Sequence, residues 1–299
     1  MTTSASAPAW HGTPAVVASG ASGVARAART VRGLCTPSML AGGLTELAWL
    51  SAHALLWPLG TRPETPVVDD RIRPEWQPPA VRALFAGDPL AARVPVVLVH
   101  GMVDNRSVFT VMSRALRRRG FTSVSTWNYS PLVQDVRVAA RQLEQHLARV
   151  CEDSGHDRVH VVGHSLGGIV ARWLLQCGGS ERFASLTTLG SPHGGTIWAH
   201  AGPTPLIRQL RPGSDLMAEL GRPAPGLDVP VTAVWSDLDQ LVLPVSSGRC
   251  DHPDLQARNV AVHGVGHMSL PIHRGVVDEV AAVLAGHRAG TDADHIAVA

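Results

Sequence analysis

The chain has 299 residues, 45% of them hydrophobic, with 26 basic residues against 24 acidic ones and a formal net charge of +2. Every basic residue is arginine and no basic run exceeds Arg117-Arg118-Arg119, so no concentrated cationic face is encoded and nucleic acid is not expected as a partner. The cysteines form no C-x-x-C pair and the 15 histidines no H-E-x-x-H spacing, which argues against zinc ribbons, thioredoxin-type chemistry and a metal centre.

Residues 1–33 are rich in Ala, Ser and Gly, and their composition predicts a disordered N-terminal segment. Residues 34–60 read as an apolar helix. Between Met39 and Gly60 it carries Leu40, Leu44, Leu47, Leu50, Leu55 and Leu56 with Trp49 and Trp57, long enough to cross a bilayer. Glu46 near the centre opposes insertion, because an acidic residue there costs roughly 2.5–3.5 kcal/mol against a few tenths gained per leucine. Three readings stay open for residues 39–60: a signal-anchor, a helix lying on a lipid surface, or a helix packed on the next domain. Membrane association or export is favoured slightly over a cytoplasmic location. Residues 61–92 hold Pro63, Pro66, Pro74, Pro78, Pro79 and Pro89 among charges, and predict a connecting arm without regular ladders.

From Arg93 the pattern becomes strand, loop, helix, repeated, and defines a domain over 93–288, with a disordered tail at 289–299. Strands are expected at Val94 to Val99, Phe121 to Trp127, Arg158 to Val162, Phe183 to Leu189, Val229 to Trp235 and Asn259 to Val262. Helices are expected at Val108 to Arg119, Asp135 to Cys151, Gly167 to Gln176 and Val276 to Gly286. Short, nearly all-apolar strands alternating with helices imply an α/β fold, a mainly parallel sheet with helices on both faces. Functional groups then belong at the carboxyl ends of the strands.

Gly163-His164-Ser165-Leu166-Gly167 is a G-x-S-x-G pattern placed directly after the third apolar run, with Gly168 behind it. A buried strand that turns sharply into a helix presents one serine hydroxyl at the sheet edge. Such a hydroxyl needs a histidine base, and an acid to fix the histidine's tautomer, in the chain order Ser, acid, His. Past the fifth strand lie Asp237 and Asp239; past the sixth lie His263 and His267. Asp239 is preferred because the following Leu241-Val242 pair turns it inward, and His267 because it follows glycines that let the loop fold back. Asp237 reads as a turn cap or solvent-facing group, and His263 as a packed or hydrogen-bonded histidine. The oxyanion donors are expected to be the backbone N–H groups of Leu166 and Met102, the latter from the loop after Val94 to Val99. His100 and His164 read as loop-orienting, and His193 as part of a pocket wall. The apolar residues of 193–228, including Trp198, Leu206, Ile207, Leu210 and Leu216, read equally as core or as the underside of a lid. A disulfide among Cys35, Cys151, Cys177 and Cys250 is as open as four free thiols.

The segments Val99-His100-Gly101-Met102, Gly163 to Gly168, Ser236 to Val242 and Ala257 to His267 resemble those of the small bacterial lipases and carboxylesterases of the α/β-hydrolase fold. The resemblance covers roughly residues 93–285. It implies Ser165 as nucleophile, Asp239 as acid, His267 as base, and Met102 and Leu166 as the oxyanion hole. The expected function is that of a serine carboxylester hydrolase acting on lipid or other apolar acyl esters, without metal or organic cofactor. The same machinery in an acyltransferase, thioesterase or amidase is the alternative, and a catalytically silent hydrolase-fold binding protein a further one.

Overall fold

A computed structural model of the chain describes residues 78–286, apart from 89, 103 and 131, together with the backbone of 295–296. The readings made for 1–33, 34–60 and 61–77, for the open membrane role of 39–60 and for most of the tail fall outside the described residues.

Seven strands form one parallel sheet: β1 (Val96–Val99), β2 (Val124–Trp127), β3 (Val159–His164), β4 (Phe183–Leu189), β5 (Val231–Ser236), β6 (Arg258–Val262) and β7 (His295–Ile296). Their spatial order is β2-β1-β3-β4-β5-β6-β7, with every neighbouring pair parallel. All carboxyl ends therefore open onto one edge. Among the described residues the α-helices are α1 (Pro79–Leu84), α2 (Thr110–Arg118), α3 (Val136–Ser154), α4 (Leu166–Trp173), α5 (Pro205–Gln209), α6 (Asp215–Leu220) and α7 (Arg274–Leu284).

Alternation along the strands divides the interior into two cores. Val97 and Val99 join Leu143, Leu147, Ile169 and Val170 of α3 and α4 on one face. Val96 and Leu98 join Met112 and Leu116 of α2 and Val276 and Val280 of α7 on the other. This is why the strands read as continuous apolar runs: both of their faces are covered. Helix α3 is delimited by local chemistry. The Asp135 carboxylate accepts from the Arg137 N–H at 2.7 Å at its start, and Gly155 ends it in the left-handed conformation (φ 69°).

The structure corrects several boundaries. Pro95 has no N–H to give, and β1 starts after it at Val96. Phe121 does not belong to β2; it is buried in the turn before it, edge-on to Phe85 at 5.2 Å. Beyond Trp173 the helix widens into a π turn, Leu174–Gly178. The arm at 61–92 contains the helix α1, which begins at Pro79 because a proline in the first turn sacrifices no hydrogen bond. The tail at 289–299 is not wholly irregular either, since His295 and Ile296 pair with Ala261 and Val262. Among the described residues no cysteine is in a disulfide: Cys151, Cys177 and Cys250 are free thiols, and Cys35 lies outside them.

In the segment 193–228, Leu206, Leu210, Leu216 and Leu220 are buried in the core shared with α3 and α4, rather than on the underside of a lid. Polar contacts from α3 and α4 fasten this segment. Glu219 accepts from Arg137 at 2.6 Å and from the Trp173 indole at 2.9 Å, and the Arg137 guanidinium holds its carboxyl below the usual range. Arg172, only 4% exposed, donates to Gln176, to His193 and to the Leu220 carbonyl.

Candidate active site

The turn after β3 is held open by glycine. A methyl group on Gly163 would lie 2.5 Å from the Gly168 Cα, and one on Gly167 would run into the carbonyl oxygens of Val99 and His100. Strand and helix can therefore meet only with hydrogen at both positions. Between them Ser165 adopts φ 54° and ψ −123°, a region a side chain rarely occupies and one that costs of order 1–3 kcal/mol. The strain is sustained because Ser165 N–H donates to the Leu189 carbonyl (2.9 Å) and its own carbonyl accepts from Gly168 (3.1 Å). Ser165 thus stands at the N-terminus of α4, with Leu166 as the first helical residue.

Asp239 and His267 meet below the surface. The Nδ1 of His267 lies 2.7 Å from Oδ2 of Asp239, and both side chains are 2% exposed. The second carboxylate oxygen, Oδ1, accepts from the backbone N–H groups of Leu241 and Val242, each at 2.9 Å. A carboxylate only accepts, so Nδ1 carries a proton, and in the neutral ring Nε2 keeps the lone pair. The His267 ring packs 4.8 Å from that of His164, the residue preceding the serine, and the His164 Nε2 donates to the His267 carbonyl at 3.2 Å. His164 therefore ties the loop after β6 to the serine turn.

Asp237 and His263 pair with each other instead, at 2.8 Å, and are almost half exposed. Asp237 also accepts from Gly264 N–H at 2.9 Å and so caps that turn. His193 is buried, bonded to Thr188 at 2.9 Å and to Arg172 at 3.2 Å, and burial drives its pKa well below the ordinary value. It fastens a loop and is enclosed within it. The loop after β1 approaches the serine closely: a Cβ on Gly101 would sit 3.0 Å from the Ser165 Cβ. Met102 follows it, half-buried.

Two residues that sequence reasoning passed over meet this loop from β2. Tyr129 and Asn128 both touch it, although only their position past a strand's carboxyl end could have flagged them. Exposed apolar side chains stand on the loops that leave the same edge: Leu132, Ile197, Trp198 and Leu241. Trp198 is anchored by its indole N–H, which donates to the Gln240 carbonyl at 2.7 Å.

A parallel sheet with helices on both faces, whose third strand turns through a strained serine into a helix, is the α/β-hydrolase fold. Solved structures agree. The chain is similar to a mature lipase of Bacillus licheniformis, with TM-score 0.55 and 16% identity over 66% of this chain and 93% of that one. It is also similar to lipase B of Aspergillus fumigatus, with TM-score 0.52 and 14% identity over 77% and 68%. Residues 95–213 match the palmitoyl protein thioesterase family. A triacylglycerol lipase of Burkholderia plantarii is 32% identical over 126 residues, covering 39% of this chain and 35% of that protein. A Schizosaccharomyces pombe fusion of palmitoyl-protein thioesterase with dolichyl pyrophosphate phosphatase is 31% identical over 121 residues, 38% of this chain and 20% of that protein. The chain spans about a third or less of the length of these curated relatives.

Proposed function

We propose that the protein is a serine carboxylester hydrolase acting on lipid-like or other apolar acyl esters. The observation that carries this reading is the buried Asp239–His267 pair packed, through His164, against the strained Ser165. In the proposed reaction the Nε2 of His267 takes the Ser165 proton as Oγ attacks the ester carbonyl. The N–H groups of Met102 and Leu166 receive the oxyanion. Collapse of the intermediate returns the proton to the departing alcohol and leaves an acyl-enzyme. Water, deprotonated by His267, then releases the acid and restores the serine.

The apolar character of the substrate is supported by the similarity to triacylglycerol lipases and by Leu132, Ile197, Trp198 and Leu241 standing exposed on the loops of the carboxyl edge. One observation favours a second reading. The thioesterase match spans the loop after β1, the serine turn and Arg172, and stops at residue 213. The same acyl-enzyme forms from a thioester, with a thiol as the leaving group.

The test is a panel of p-nitrophenyl esters from acetate to palmitate beside a palmitoyl thioester. Oxygen esters are expected to turn over, with kcat/KM rising beyond acetate. Failure on every ester, or a thioester preferred by about 100-fold or more, would replace the ester-hydrolase reading. Such a ratio corresponds to about 2.7 kcal/mol of transition-state discrimination.

A further inference from the structure

The oxyanion donor proposed on the loop after β1 belongs to a peptide group that is clamped from outside. The Gly101 carbonyl oxygen lies 2.8 Å from Nδ1 of His100 and 3.1 Å from the hydroxyl of Tyr129. That hydroxyl is also 3.3 Å from the His100 carbonyl, and the two rings stack with centroids 4.5 Å apart and planes at 5°. One residue away, the Asn128 side chain accepts from the Arg106 N–H at 2.9 Å. A carbonyl can only accept, so the hydroxyl and Nδ1–H are both donors. Burial pushes His100 down to about 4, which keeps its ring neutral through the neutral pH range.

The Gly101 carbonyl and the Met102 N–H share one trans peptide plane and point in opposite directions. Whatever fixes the oxygen therefore fixes the direction of the N–H. Gly101 cannot supply that rigidity itself, since glycine is the most permissive residue of the backbone. A stiffer residue there would be crowded, because its Cβ would sit 3.0 Å from the Ser165 Cβ and press on the serine. Position 101 is tight for any side chain, and with glycine there its peptide is held by side chains from elsewhere.

We infer that Tyr129 and His100 are positioning residues for the reaction: together they hold the Gly101 carbonyl and thereby orient the Met102 N–H for the developing oxyanion. This rests on the ester-hydrolase reading and adds the part that keeps one of its donors aligned. Neither side chain contacts substrate in this account; both act through the peptide.

The experiment compares wild type with Tyr129→Phe, His100→Leu and His100→Asn. It measures kcat and KM on one p-nitrophenyl ester, the Ki of a trifluoromethyl ketone that forms a charged tetrahedral adduct, and the melting temperature. Complete loss of an oxyanion donor costs about 10²–10³ in rate, so a loosened one is expected to cost about 10-fold in kcat for Tyr129→Phe. KM should change by less than about 2-fold, and the ketone Ki should rise by the factor that kcat/KM falls. His100→Asn keeps an amide N–H on Cγ where Nδ1 was, and is expected to retain far more activity than His100→Leu, although both lose the ring. That contrast also decides the matter if Tyr129→Phe does not fold.

The inference is overturned if the folded variants keep kcat and Ki at wild-type values, if only KM moves, or if His100→Asn and His100→Leu fall equally. A wild-type protein without esterase activity would instead remove the reading on which the inference stands, and the two failures are told apart by that first measurement.

Discussion

Asp239→Asn is expected to lower kcat on a p-nitrophenyl ester by about 10⁴, while Asp237→Asn stays within about 3-fold of wild type. The difference follows from what each carboxylate holds. Asp239 uses one oxygen on His267 Nδ1 and the other on two backbone N–H groups, all within a site that is 2% exposed. An amide in its place can keep the two backbone donors with its oxygen, but then turns its NH₂ toward Nδ1. The imidazole must answer with a lone pair there, and the proton moves to Nε2, where it can no longer accept from Ser165. Asp237 and His263 make an ion-pair geometry that is nearly half exposed, which is worth only about 0–1 kcal/mol in water. Steady-state kinetics of the two variants, alongside their melting temperatures, checks this. Larger loss in Asp237→Asn would move the acid to the surface pair.

The protein should lose stability steeply as pH falls from about 6.5 to 4. His100, His146 and His160 are each pushed down to about 4 chiefly by burial, and His193 is held well below its ordinary value, also chiefly by burial. In the unfolded chain each takes up a proton near pH 6.5, but in the folded chain His100, His146 and His160 do so only at about 4, and His193 only well below 6.5. Between those values the unfolded state binds more protons, so acid favours unfolding, and the effect is absent above about pH 7. A shift of this size is worth roughly 3 kcal/mol for a buried histidine, less for the partly exposed His146. Several together approach the typical stability of a domain, about 5–15 kcal/mol. Melting curves by circular dichroism from pH 7.5 to 4 should show the melting temperature falling progressively and no cooperative transition near pH 4. A melting temperature that stays level to pH 4.5 would mean that these rings are hydrated in the folded state.

The parts of the fold that were legible in the sequence are those whose pattern has one cause. Val96 to Val99 and Val159 to Val162 are buried on both faces, and a short, continuous apolar run bounded by turns seldom arises in a different setting. Phe183–Leu189 came out at its expected limits because the Gly190 turn bounds it sharply. His295–Ile296 was invisible, since two residues carry no periodicity and pair only because β6 offers an edge. Phe121 is apolar for packing against Phe85, and looks like strand for the wrong reason.

At the site, local sequence suggested which aspartate faces inward from the apolar Leu241-Val242 pair. The structure adds a different cause: the backbone N–H groups of those residues grip the carboxylate. Arg172 lies on the short helix α4 next to the serine turn. It is buried because the segment 193–220 folds over it, a contact between stretches some twenty to fifty positions apart. Tyr129 is a similar case. Its partners are 28 and 29 positions earlier, and only the parallel pairing of β1 with β2 brings the two loops together. Chemistry carried by one segment can be read from that segment, whereas clamps between segments emerge only from the topology.

In the proposed reaction the hydroxyl of Ser165 is made nucleophilic by His267. Labelling with a fluorophosphonate probe, followed by peptide mass spectrometry, tests it most directly. One adduct is expected, on the peptide containing Ser165, absent in Ser165→Ala and formed at least about 10³-fold more slowly in His267→Ala. An adduct on another residue, or labelling of Ser165 at an undiminished rate without His267, would contradict it.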